Sequence, residues 1–477
     1  MEKTNNSKKI VWYNLAFMAF STVWGFGNVL NGYIYFNGIQ VIFSWILMFA
    51  LYFVPYALMV GELGSAFKES GGGVSSWIHE TIGPKMAYYA GWTYWACHVT
   101  YIASKGSGGL KALSWMVFQN GETYATFDTT LIQLATLAVF LFFCWVASRG
   151  LNPLKKLATI AGTSMFVMSI LYIVMMFAAP AINPNGGYLS MDFSWKNLIP
   201  QFNMGYFTSL SILVFAVGGC EKISPYVNKV ENPSKGFPKG MIALAIMVMV
   251  CAILGTIAMG MMFDPADIAA NFDSYNANGS YWAFQKLGEY YGMGNILMII
   301  YAACNAIGQF STLVLSIDAP LRMLLDNEDA RQFIPSKLLK KNKYGAYING
   351  IWMVVILSGS IILVQTLVPN ADVVLRQLTQ LNSVTMPMRY LWVFAAYIAL
   401  RKAKDKFNPE YRFVKNQGFA LTAGSWCFFV TAFCCLFGMY KEGDLFTTLL
   451  NVITPVVLTA LGLILPAIKK REDAANA

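Results

Sequence analysis

Long apolar runs, each closed by a short polar segment, recur from one end of the chain to the other. They fall at Val11–Tyr35, Val41–Leu63, Met86–Phe118, Leu131–Ala147, Leu157–Ala179, Tyr206–Ser224, Met241–Phe263, Met293–Leu315, Tyr347–Leu367, Val373–Leu400, Phe419–Gly438 and Leu445–Ile468. A hydrocarbon core about 30 Å thick asks for roughly 20 helical residues. Each of these twelve runs meets or nearly meets that length, so the pattern predicts an all-α integral membrane protein with twelve spans. An even number puts both termini on one side.

Composition leads to the same class. Hydrophobic residues make up 57% of the 477 and charged residues 12%, where a soluble domain carries about 25% charged. So few polar groups cannot coat a water-soluble surface, and a chain this apolar is not disordered. The net charge of +10 does not imply a nucleic-acid partner, because the basic residues sit in short connecting segments and not on one soluble face. The tail (Lys3, Lys8, Lys9) and alternate loops hold most of the 34 basic residues. Among them are Lys155, Lys235, Lys341, Lys404, Arg412 and Lys469. The other loops hold only Lys196, Lys286 and Lys441, beside Glu122, Asp128, Asp192, Asp264, Asp267 and Asp273. The positive-inside rule then places both termini in the cytosol and the protein in the plasma membrane. The first run is too long for a signal-peptide core, and no small-residue cleavage site follows it. All eight cysteines lie inside apolar runs without metal-ligand spacing, and His79 and His98 are too few for a metal centre. No cofactor is expected. Membrane lipid is the expected surrounding, and the oligomeric state stays open.

Two runs carry glycines where a membrane helix is normally continuous. The first contains Trp24-Gly25-Phe26-Gly27-Asn28, and the sixth contains Phe215-Ala216-Val217-Gly218-Gly219-Cys220. Glycine weakens a helix by ~1 kcal/mol relative to alanine. Unwound backbone inside a membrane is tolerated only where it lines a cavity or meets protein. Close helix packing through small residues is the competing reading. Breaks in the first and sixth spans are the positions expected of two inverted five-helix repeats followed by two further helices. Free N–H groups at the start of the second half of span one suit a carboxylate. Free carbonyls at the end of the first half of span six suit an ammonium. Together they suit a zwitterionic α-amino acid.

These residues carry a resemblance. Phe215 to Glu221, followed by Glu231-Asn-Pro-Ser-Lys-Gly-Phe-Pro238, is similar to the sixth-helix signature of the amino acid–polyamine–organocation superfamily. Gly61 to Gly73 resembles its second-helix signature, Arg322 to Pro335 the segment after helix eight, and Tyr390 to Arg401 with Tyr411-Arg412-Phe413 the end of helix ten. The second-helix and post-helix-eight segments look nearest to the glutamate/GABA-antiporter branch. The resemblance implies the LeuT-type fold: five-plus-five inverted repeats, discontinuous helices 1 and 6, and alternating access. Repeat one then spans 11–180 and repeat two 206–401. An extracellular loop covers 181–205, a cytosolic loop 402–416, two further helices 417–468, and cytosolic tails 1–10 and 469–477. It also implies that the amides of Gly25, Phe26 and Gly27 hold the substrate carboxylate. The carbonyls of Val23, Phe215, Ala216 and Gly218 would hold the amine. Phe26 departs from a frequent serine, Lys68 from a frequent proline, and Gly345-Ala346-Tyr347 from Gly-x-Pro. Ala161-Gly-Thr-Ser-Met165 lacks the helix-five lysine of some proton-coupled members.

Five cations fall within or at the edge of the runs: Lys105, Lys111, Lys222, Arg376 and Arg389. A charge at mid-membrane costs about 2.5–3.5 kcal/mol or more, so each needs a partner or water. Lys105 is expected at mid-depth, facing Glu221 one turn past Gly218; such a pair would couple transport to protons. Bonds from each to freed backbone groups are the alternative. Arg389 is expected to be deep, while Lys111, Arg376 and Lys222 reach the interface by snorkelling. The excess of cations fits an acidic substrate whose second carboxylate meets Lys105 or Arg389. It equally fits a neutral substrate with internally paired cations. Ser311 and Thr312 offer hydroxyls for a sodium site or for packing. Glu62 is expected to tie loops together, and Asp318 with Arg322 to form an i,i+4 pair. No Walker motif is present, which argues against an ATP-driven pump. Neither a polar catalytic cluster nor a channel filter motif appears, so an intramembrane enzyme or a channel fits less well. The expected function is secondary active amino-acid transport, as an exchanger or proton-coupled symporter, with a sodium-coupled symporter as the alternative.

Overall fold

The computed structural model describes residues 9–327, 329–367, 371–403 and 406–476, with the backbone alone at 329–330, 371–376 and 476. Lys3, Lys8, Lys404 and the Arg376 side chain therefore lie outside the described residues. The first run forms two short helices, α1 (Trp12–Val23) and α2 (Gly27–Tyr35). Next come α3 (Gly38–Ala66), α4 (Pro84–Phe118), α5 (Thr129–Ala147) and α6 (Leu151–Ile182). The sixth run is α7 (Met204–Val217) followed by a 3₁₀ stretch, Cys220–Lys229. Then follow α8 (Pro233–Gly260), α9 (Phe272–Tyr290), α10 (Ile296–Leu325), α11 (Ile348–Val364), α12 (Ala371–Met388), α13 (Tyr390–Lys402), α14 (Gln417–Met439) and α15 (Leu445–Ala460).

Among the described residues, nine helical segments are long and apolar enough to cross a membrane. The other three expected runs are helical but differently built. The first is interrupted at Trp24–Phe26, and the tenth divides into α12 and α13. The third, α4, is 35 residues long, and His98, Lys105 and Lys111 dilute its apolar character. Several helices outrun their apolar cores. Pro84 and Pro233 sit in the first turn of α4 and α8, where a missing N–H costs nothing and φ is already set. Gln119, in the left-handed region at φ 59°, ends α4. Helix α9 fills the segment between the seventh and eighth runs, where the pattern assigns Asp273 and Lys286 to a loop. It is held by aromatic packing: Phe284 stacks on Tyr301 of α10 with centroids 4.3 Å apart.

Close backbone approaches fix the bundle. A side chain at Gly162 of α6 would overlap the Phe17 carbonyl of α1. One at Gly91 of α4 would lie 2.9 Å from the Met323 carbonyl of α10. Large apolar side chains such as Leu131, Phe142, Ile160, Val174, Ile356 and Leu436 are exposed around the perimeter, as lipid contact requires. This is an integral membrane protein. At the end where the chain begins, Ile10 N–H donates to Lys229 O and Glu231 N–H donates to Ile10 O, each at 2.8 Å. That bridge ties the entry of α1 to the exit of the 3₁₀ stretch.

Candidate functional site

Both expected interruptions are present, and they are made differently. Trp24 is extended (φ −125°, ψ 134°) and ends α1; Gly27 then starts α2. The first turn of α2 closes with Asn28 N–H on Gly25 O and Val29 N–H on Phe26 O. The amides of Gly25, Phe26 and Gly27 have no partner among the described hydrogen bonds, as the start of a helix dictates. A Cβ on Gly25 would meet nothing within 4 Å. The Phe26 ring turns away from this opening into Tyr172, Phe284 and Tyr301, with centroids 4.7, 4.8 and 5.6 Å away. An aromatic there fills the core, so this position brings only its backbone to the opening. In the sixth run, Gly219 takes φ +108° and stops the helix. Gly218 lies directly under the Tyr390 ring, where a side chain would collide.

One cavity of about 980 Å³ joins the two breaks. Val23, Gly25, Gly27, Phe215 and Gly218 line it, and it widens to the exposed Gln119, Glu122 and Asp273. Ala216 lines a smaller neighbouring cavity. Asn28, which the sequence reading passed over, spans the breaks. Its amide Nδ2 donates to Val23 O at 3.3 Å and to Ala216 O at 3.1 Å. Two carbonyls expected to hold an amine therefore already accept from the protein, each with a second lone pair left. A polar residue directly after the glycine motif was the available signal.

The expected Lys105–Glu221 pair is not formed. Glu221 is fully buried and pairs with Arg389, Oε1 to Nε at 3.0 Å. The Tyr94 hydroxyl donates to the same Oε1 at 2.6 Å, and the Tyr56 hydroxyl donates to Oε2. Arg389 Nη1 donates to His98 Nε2 at 2.9 Å, so His98 Nδ1 carries the hydrogen that goes to Tyr94 O at 2.8 Å. A guanidinium presents several fixed donors and satisfies this arrangement where an ammonium would not. Lys105 is half-buried and lines the cavity. Its Nζ lies 4.7 Å from the Tyr101 ring centre, and no described carboxylate pairs with it. Lys222 does not snorkel; it is 1% exposed, and its Nζ donates to Ser316 Oγ at 2.6 Å. Lys111 is also buried, with Nζ 5.5 Å from the Tyr124 ring centre.

The hydroxyl pair divides. Thr312 lines the cavity and donates to Ser21 O at 2.9 Å. Ser311 is buried off the cavity lining, with no partner for its hydroxyl among the described residues. Among the described residues, no group of three His, Cys, Asp or Glu stands close enough to hold a metal ion. Glu62 ties loop to helix as expected: Arg401 approaches it at 3.0 Å and Phe413 N–H donates at 2.8 Å. Arg322 Nε meets Asp318 Oδ2 at 2.7 Å, and the Tyr226 hydroxyl donates to the same oxygen at 2.8 Å.

A family model described as amino acid permease matches residues 10–461. The chain is 47% identical to the aspartate/glutamate permease AcaP of Lactococcus lactis subsp. cremoris, over 98% of this chain and 97% of that protein. It is 24% identical to the inner membrane transporter YjeM of Escherichia coli, over 96% and 95%. A glutamate/gamma-aminobutyrate antiporter of Lactococcus lactis subsp. lactis is 23% identical, over 48% of this chain and 45% of its own length.

Proposed function

Because the chain belongs to the amino acid permease family, we propose that it is a secondary active transporter of acidic α-amino acids working by alternating access. Its transmembrane part is then twelve spans in two inverted repeats plus two helices, with both termini cytosolic in the plasma membrane. The cavity faces outward. The amides of Gly25, Phe26 and Gly27 receive the α-carboxylate, because helix-start N–H groups carry partial positive charge. The carbonyls of Val23, Phe215, Ala216 and Gly218 receive the ammonium, with Asn28 holding the two breaks in register. Residues of the wall then select the side chain.

One observation carries the acidic reading. Lys105 faces the cavity that holds both breaks, and among the described residues no acid neutralises it. Arg389, the other deep cation expected to meet substrate, is already held by Glu221. A substrate carboxylate would complete the charge at Lys105 through a hydrogen bond between charged groups, worth about 1.5–3 kcal/mol. The aspartate/glutamate permease at 47% identity supports the same substrate class.

Inward release needs the other end to open. There, the Thr22 hydroxyl donates to Gly219 O at 3.4 Å, and the Tyr226–Asp318–Arg322 cluster joins the 3₁₀ stretch to α10. Counterflow in proteoliposomes tests the function. Labelled L-aspartate should exchange saturably and be stimulated by unlabelled L-aspartate or L-glutamate inside; no trans-stimulation by either removes the reading.

A further inference from the structure

Arg149 and Lys343 have no place in the cavity, yet they meet at one ring outside it. Arg149 lies just past the end of α5, and Tyr344 lies in the segment between α10 and α11. The guanidinium carbon of Arg149 is 4.5 Å from the centre of the Trp145 ring and 5.4 Å from that of Tyr344. Its Nη1 donates to the Tyr344 hydroxyl at 3.1 Å. Lys343 Nζ lies 5.2 Å from the centre of the same Tyr344 ring. All three side chains are exposed, but the backbone that carries them is pinned. Asn342 Nδ2 donates to Ser148 O at 2.8 Å, and Asn342 Oδ1 accepts from the N–H groups of Tyr344 at 2.9 Å and Ala346 at 3.1 Å. Gly150, at φ +86°, passes so close that a side chain there would lie 2.6 Å from Tyr344 O.

No acid balances these charges. The sequence holds no Asp or Glu from Thr129 to Met191, nor from Ala330 to Ala371. The same stretches add Lys156, Lys337 and Lys340, all exposed. Acids that reach them from elsewhere are engaged: Asp326 pairs with Lys341 at 2.7 Å, and Glu472 accepts from Ser336 N–H at 3.0 Å. Among the described residues no carboxylate pairs with Arg149 or Lys343, and most of the five guanidinium donors have no acceptor. The patch is also continuous with the lipid face. Trp145, one turn before Arg149, is 52% exposed, and Trp352, near the start of α11, is 58% exposed. Phe142 and Ile356 extend these exposed faces along the two helices. Helix α11 packs on α5, where a side chain at Gly359 would meet Leu137 at 3.6 Å. Exposed tryptophans at the ends of spans mark the membrane–water boundary, so cations just beyond them stand at the depth of headgroup phosphates.

We propose that Arg149 and Lys343 bind the phosphate of an anionic phospholipid whose acyl chains lie along α5 and α11, beside Trp145 and Trp352. In the orientation proposed above, this is the cytosolic leaflet. The guanidinium fork matches a pair of phosphate oxygens, the two rings hold it in place beforehand, and Lys343 adds a second charge. A zwitterionic headgroup brings its own ammonium, which both cations repel; an anionic headgroup does not, so the site discriminates between lipids. A soluble phosphate lacks the chains that the exposed faces of α5 and α11 receive. The site lies outside the cavity and stands whichever amino acid the cavity takes.

Full-length protein in a neutral detergent tests this, by thermal-shift titration with short-chain phosphatidylglycerol, short-chain phosphatidylcholine, inorganic phosphate and polyglutamate. Wild type should bind phosphatidylglycerol about 10-fold more tightly than phosphatidylcholine, and neither phosphate nor polyglutamate should shift its Tm. Arg149→Gln with Lys343→Gln should erase the preference. Lys470→Gln with Arg471→Gln, an equal loss of charge on the C-terminal tail, should keep it, and Arg149→Lys should fall between. Equal binding of the two lipids by wild type overturns the site. So does a preference that survives in the Arg149/Lys343 variant, or one lost equally in the Lys470/Arg471 variant, since either assigns it to diffuse charge. A shift with phosphate or polyglutamate as large as that with phosphatidylglycerol assigns the patch to a soluble anion or an acidic protein, and overturns it too. Should the variants not fold, native mass spectrometry of wild type released from mixed phosphatidylglycerol–phosphatidylcholine nanodiscs decides: retained phosphatidylglycerol is expected, and none, or equal retention of both lipids, contradicts the proposal.

Discussion

The two helix breaks look alike in sequence and are opposites in structure. The break between α1 and α2 is open: Gly25 has free space where a side chain would be, and three amides have no acceptor among the described residues. The break after α7 is crowded. Gly218 is pressed against Tyr390, Gly219 needs a left-handed φ, and a side chain on Gly219 would lie 3.4 Å from Arg389. On the proposed reading, the first break owes its glycines to the substrate that approaches from the cavity. The second owes them to what the protein has already placed there. A crowded break with a buttress and an open break with free donors would, on the proposed reading, make a site in which the protein fills one side and ligand the other.

Substitutions can separate these roles, beginning with the largest effect on folding. Arg389→Met strips the buttress and leaves Glu221 buried without its cation. Losing one partner of a buried pair costs about 3–5 kcal/mol, so Tm should fall sharply, and adding Glu221→Gln should recover part of it. Gly218→Ala forces Tyr390 aside and should cost about 1–3 kcal/mol, the usual range for overpacking, with exchange lost. Asn28→Ala removes the strap between Val23 O and Ala216 O. Two hydrogen bonds of ~1 kcal/mol each predict a modest fall in Tm and a KM for L-aspartate raised about 10-fold. Gly25→Ala should leave Tm nearly unaltered, within about 0.5 kcal/mol, while weakening substrate binding, because the methyl group intrudes where the carboxylate belongs. Equal Tm losses for Gly25→Ala and Gly218→Ala would erase the distinction between the breaks.

The sequence made the interruptions legible because near-paired glycines recur in the first and sixth runs, the corresponding places of two repeats, and it made Glu62 legible because an acid at the end of a run must find a partner nearby. It did not reveal which faces of the helices meet. Lys105 and Glu221 looked suited by depth alone, yet Arg389, at the junction of α12 and α13, pairs with Glu221, while Lys105 lines the cavity without a described carboxylate. Lys222 was read as interfacial from its place near the end of a run. The break at Gly219 turns the following 3₁₀ stretch inward and buries it instead. Helix α9 escaped notice because its stability comes from rings on α10, a tertiary contact that local polarity conceals.

The central claim is that Lys105 gives the shared cavity its preference for a second carboxylate. L-Aspartate and L-asparagine have nearly the same shape and differ in that charge, so their binding to purified wild type and Lys105→Met, by calorimetry, tests it most directly. Wild type should favour L-aspartate by about 10-fold or more, the equivalent of ~1.4 kcal/mol, and Lys105→Met should bind the two alike. Equal affinities in wild type, or an undiminished preference in Lys105→Met, would contradict the account.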